Sequence, residues 1–173
     1  MSNKIAPTPS EWGPMIWNII HTASLRIGKN PVTDKNETRL FISLTKALPH
    51  SLPCKICQGH AGDYLRSVES KKRINKWITL TGDILKAEIV HFLWDFHNNA
   101  NKMKESPTGF YELESLVTKY STDELRQQTK DDLPILLRTL SVAAHQGVIM
   151  ADEARKLRII LQQLVRLASI GRL

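Results

Sequence analysis

The chain has 173 residues, 42% hydrophobic and 24% charged, with a net charge of +7, which fits one ordinary globular domain, with or without an appendage, and excludes a disordered chain. No apolar run approaches the roughly 20 residues a membrane-spanning helix requires, and two cysteines cannot build the multi-bridge framework of a small secreted domain. The basic residues are scattered, with Lys71-Lys72-Arg73 the one local run, so the charge reads as a solvated surface and not as a nucleic-acid footprint.

Met1 to Pro7 lack the apolar core of a signal peptide, so the expected compartment is the cytoplasm. Ser10 is placed to cap a first helix from about Trp12 to Ile27, which Gly28, Asn30 and Pro31 end. A second amphipathic stretch from about Asn36 to Leu48 puts Leu40, Phe41, Leu44 and Leu48 on one face. Pro49 and Pro53 bracket a short loop, and the cysteines open a third helical segment that reaches about Val68. Residues 70–82 read as a basic, irregular connection containing Trp77, and Asp83 as the cap of a fourth helix through about Met103.

Ser106-Pro107-Thr108-Gly109 is a breaker. Ser121-Thr122-Asp123-Glu124 has capping-box spacing and predicts a short helix, with longer ones over about 131–145 and 151–169. In the last, Leu157, Leu161 and Leu164 form an apolar stripe that needs a partner surface. Self-association and packing on its own domain suit that stripe about equally. With no strand pattern and no repeat, the expectation is an all-α fold. It divides into a domain over residues 1–109 and a helical C-terminal extension over 110–173.

Both cysteines lie in Pro53-Cys54-Lys55-Ile56-Cys57. Proline suits a helix start, so Cys54 falls at or near a helix N-terminus, where unpaired N–H groups and the helix dipole stabilise a thiolate. Cys57 sits one turn on, within disulfide reach. A metal reading competes: His50, Cys54, Cys57 and His60 are four candidate zinc ligands within eleven residues, and two cysteines with two histidines are an accepted zinc set. On this segment alone redox chemistry is favoured only modestly, and a small zinc-stabilised helical interaction module stays open.

Two distant ridges shift the balance. Gly13, Trp17 and His21 recur every four residues along the first helix. His97, Asn101 and Lys104 share a face of the fourth, with Asn98 beside them. Asparagine is a poor helix former, so three within four residues suggest hydrogen bonds made for a purpose. Polar stripes beside aromatic residues suit a large planar ligand with ring nitrogens, hydroxyls and phosphates.

With these residues in view, the chain resembles the flavin-dependent sulfhydryl oxidases of the Erv/ALR type, in Trp-Gly-x-x-x-Trp-x-x-x-His at 12–21, Pro-Cys-x-x-Cys at 53–57 and His-Asn-x-Ala-Asn at 97–101. The resemblance implies a bundle of four helices plus a short fifth that binds FAD non-covalently beside the cysteine pair. It implies cofactor contacts from Trp12, Gly13, Trp17, His21, His60, Trp94, His97, Asn98 and Asn101, with Lys102 or Lys104 replacing a basic phosphate contact. The family often has a structural cysteine where Trp94 stands. Cys54 and Cys57 would be the catalytic pair, passing electrons from substrate thiols to FAD and then to O2, with hydrogen peroxide as product. Further implied are protein substrates, delivered by a thioredoxin-like carrier, and a homodimer. The minimal cysteine count is most similar to the versions encoded by large cytoplasmic DNA viruses. From Gly109 onward no family motif is recognisable.

Overall fold

A computed structural model describes residues 8–103 and 112–170, and every element among them is helical. Lys104 and the 106–109 breaker lie outside the described residues. The elements are α1 (Pro9–Ser24), α2 (Pro31–Ser51), α3 (Lys55–Arg66), α4 (Val68–Lys76), a 3-10 turn (Trp77–Thr79), α5 (Gly82–Lys102), α6 (Leu113–Tyr120), α7 (Asp123–His145) and α8 (Ala151–Ser169). The all-α expectation holds.

Local chemistry explains the boundaries that differ from expectation. The Glu11 carboxylate accepts from the backbone N–H and hydroxyl of Thr8, so α1 starts one turn early, with Pro9 in its first turn. The Asn30 side chain accepts the Val32 N–H at 3.0 Å, so Asn30-Pro31 opens α2 rather than merely closing α1. Leu52, which precedes Pro53, is forced to extended backbone (ψ 138°) and ends α2. Residues 68–76 are helical, not irregular: the Ser67 hydroxyl caps Ser70, and Ser70, Ile74 and Trp77 turn inward beneath the lysines. Arg73 from the basic run reaches Asp95 at 2.6 Å and Glu88 at 3.3 Å on α5, tying α4 down. The short helix expected at 121 is the first turn of one continuous helix, α7, which runs through Pro134 to His145 and is capped by Thr122.

α1 runs through the middle, packed by α5, α6, α7 and α8, while α2 packs on α3 and α8. One apolar cluster joins these layers: Ile19, Phe41, Trp77, Leu93, Leu140 and Leu161 all belong to it. The stripe Leu157, Leu161 and Leu164 is fully buried within the chain, each leucine contributing about 1.5–3 kcal/mol. It packs against its own domain, and no second copy is needed to cover it. At the far end Gly28 (φ +74°) lies against Gly82, where a Cβ would come within 2.2 Å of the Gly82 carbonyl oxygen. The buried Asp34 carboxylate accepts the Gly82 N–H at 2.8 Å and fixes the start of α5 relative to α2.

Candidate active site

Cys54 is the N-cap of α3, and its sulfur accepts the Cys57 N–H at 3.1 Å. The two cysteines are joined in a disulfide across one helical turn, with Cα atoms 5.2 Å apart. Both are half-buried and both line a cavity of about 960 Å³, at the large end of the roughly 300–1,000 Å³ usual for ligand sites. The neighbouring Lys55 and Ile56 are exposed. Gln58 steadies this turn, donating to the Leu52 carbonyl at 2.8 Å and the Val148 carbonyl at 3.4 Å in the α7–α8 loop.

α1 lines the cavity from Pro9 to Ile20, about 16 Å of helix. Of the expected cofactor residues, Trp12, Gly13, Trp17, His60, His97 and Asn101 line it together with the disulfide. A Cβ added at Gly13 would meet no atom, so that position faces open space. The Trp17 and His97 rings are stacked at 4.1 Å and 9°. Behind them His21 is completely buried, its Nε2 2.9 Å from His97 Nδ1. Burial first, then the nearby His97 and Lys119, hold the His21 pKa well below its ordinary 6.5, so this imidazole is neutral at pH 7. Its Nδ1 has no partner.

His21, Asn98 and Trp94 are not in the cavity wall. Asn98 keeps a buried, unpartnered Oδ1, and Trp94 packs on a small cluster with Leu25, Val90, Leu116 and Tyr120. The zinc reading fails. The two sulfurs are bonded to each other, His50 is exposed, and among the described residues no group of three or more His, Cys, Asp or Glu could hold a metal ion.

Sequence reasoning missed the wall made by α6 and α7, where Lys119, Tyr120, Leu125, Gln128 and Asp132 line the cavity beside Asn18 of α1. Asn18 donates to Asp132 Oδ2 at 2.8 Å and to the Leu125 carbonyl at 3.3 Å. Gln128-x-x-x-Asp132 has one-turn spacing, but nothing local marks it as cavity-facing. The site as a whole fits FAD: a long cavity, an aromatic stack, a glycine opening onto free space, and the buried Trp12 indole N–H without a partner.

Comparison with known proteins adds to this geometry. A family model described as "Erv1 / Alr family" matches residues 14–122. The match extends past Gly109 through α6 and stops at the residue before α7. The "Putative FAD-linked sulfhydryl oxidase 347L" of Invertebrate iridescent virus 6 is 30% identical over 95 residues, covering 54% of this chain and 78% of that protein. The "Putative FAD-linked sulfhydryl oxidase 096R" of Invertebrate iridescent virus 3 is 23% identical over 99 residues, covering 57% and 60%. No solved structure matches.

Proposed function

The chain belongs to the Erv1 / Alr family, and from that premise we propose that it is an FAD-linked thiol oxidase that forms disulfide bonds in substrate proteins. The observation that carries this reading is the Cys54–Cys57 disulfide set in the wall of a large aromatic cavity.

A substrate thiolate attacks Cys54 Sγ. The Cys54–Cys57 bond breaks, a substrate–Cys54 disulfide forms, and Cys57 leaves as the thiolate. Cys54 is taken as the sulfur attacked on the family resemblance, since both cysteines are half-buried. A second substrate thiolate attacks the substrate sulfur and displaces Cys54. The displaced thiolate is stabilised by the helix N-terminus and the Cys57 N–H. Two electrons leave the substrate thiols, and the pair takes up two protons to become a dithiol. FAD held in the cavity would supply the two-electron acceptor through which the Cys54–Cys57 dithiol is returned to the disulfide, with O2 as the final acceptor and hydrogen peroxide as product.

The other residues bind, orient and exclude water. Trp12, Gly13, Trp17, His60, His97 and Asn101 hold the cofactor, with Asn98 a further contact on the family resemblance, while His21 packs on the Trp17 and His97 rings from behind. Trp94 acts through packing α5 on α6. Lys104 is the proposed phosphate contact from the sequence alone. Substrates reach Cys54 directly or through a thioredoxin-like carrier, in the cytoplasm, and no described helix is long and apolar enough to cross a membrane. A homodimer is proposed on family resemblance alone, because the α8 stripe is already covered within the chain.

The purified protein is expected to be yellow, with a flavin absorbance band, and to consume O2 when given a dithiol. A colourless protein, or a flavoprotein that takes up no O2 under those conditions, would overturn the reading.

A further inference from the structure

Asp132 stands out among the cavity residues. It is 5% exposed and lines the cavity, yet among the described residues its two oxygens accept only from neutral amides, Asn18 Nδ2 at 2.8 Å and Gln128 Nε2 at 3.1 Å. A buried carboxylate without a cation is expensive, and a fold retains one where it does something. A carboxylate has about four acceptor positions, and those two amides use two of them. Phosphate oxygens would be repelled there. The ligand chemistry that suits the site is a neutral hydrogen-bond donor, such as a sugar hydroxyl or a base amine.

Asp132 and Gln128 both lie on α7, which begins one residue after the family match ends. We propose that α7 is part of the cofactor site. Asp132, steadied by Asn18 and Gln128, accepts a hydrogen bond from a hydroxyl or amine of the adenosine half of the dinucleotide. This rests on the FAD reading above. It adds that the segment beyond the family match helps to hold the cofactor.

The test follows FAD release from diluted holoprotein by flavin fluorescence, alone and with ADP as competitor. Asp132→Asn, nearly isosteric, is compared with wild type and with Leu136→Ala. Leu136 is buried one turn along α7 and does not line the cavity. The FAD dissociation constant and the ADP inhibition constant are both expected to rise about tenfold or more in Asp132→Asn. Leu136→Ala should lower the melting temperature and leave the ADP constant unchanged. Unchanged constants in Asp132→Asn, an unaffected ADP constant, or an equal loss in Leu136→Ala would each overturn the proposal. Should Asp132→Asn not fold, Gln128→Ala is read in the same way. A wild-type chain without flavin overturns the functional reading and this inference together. A wild type that holds FAD no better than Asp132→Asn overturns the inference alone.

Discussion

Two regions wall one cavity by different chemical means. The side built by α1, α3 and α5 carries the disulfide and the Trp17–His97 stack, with the buried His21 behind the stack. The side built by α6 and α7 carries Lys119, Gln128 and Asp132. The first concentrates reactive sulfur and flat rings; the second offers charges and amides. The redox end depends on spacing within single helices, so it can be written in short motifs. The polar end depends on where a distant helix docks, and α7 lies against α1 only because a shared core puts it there.

The sharpest way to separate the two regions is to disable the first. Cys54→Ser and Cys57→Ser should each reduce O2 uptake with a dithiol to background while the flavin absorbance is retained. Loss of the flavin in either variant would mean that the cysteine pair is needed to hold the cofactor and not only to reduce it.

Next in size is the core that joins the regions. Leu161→Ala, at a fully buried site on α8, should cost about 2–5 kcal/mol. The variant should still melt in one transition and should hold flavin less well. Two separate transitions would mean that the C-terminal helices form their own cooperative unit.

His21 gives a pH test. Its folded-state pKa lies well below 6.5, so under acid the unfolded chain binds a proton that the folded chain refuses. Stability is fully present above about pH 6.5 and is lost as pH falls below it. From this one group the slope is at most about 1.36 kcal/mol per pH unit. His21→Phe should flatten that part of a denaturant-midpoint profile; an unchanged slope would mean His21 protonates in place.

The smallest effect is expected at the bridge between the regions. Gln58→Ala removes the hydrogen bonds to the Leu52 and Val148 carbonyls and should cost about 1 kcal/mol. Catalytic turnover should persist. A large fall in turnover would mean that the α7–α8 loop sets the position of the disulfide.

Much of the redox side was legible in the sequence. Cys54 and Cys57 announce a helix-start dithiol, and the ridges at 13–21 and 97–101 supply four residues that meet the cavity, Gly13, Trp17, His97 and Asn101, to which Trp12 and His60 add two more. The α8 boundaries were also readable, since Met150 is followed by unbroken helical periodicity to Ser169. The α4 helix was hidden because its inward face, Ser70, Ile74 and Trp77, is sparse beneath Lys71-Lys72-Arg73. α6 went unread because only Leu116 and Tyr120 of its eight residues are buried. Asp132 was illegible for a different reason: its chain neighbours Gln127 to Asp131 are all polar, so the carboxylate looks solvated until tertiary packing places Asn18 against it.

The most direct test of the whole account is an anaerobic titration of the purified holoprotein with a dithiol, followed at the flavin absorbance band. The band should bleach in wild type and persist in Cys57→Ser, because the electron pair reaches the cofactor through the Cys54–Cys57 dithiol. A wild-type band that does not bleach, or equal bleaching in Cys57→Ser, would contradict it.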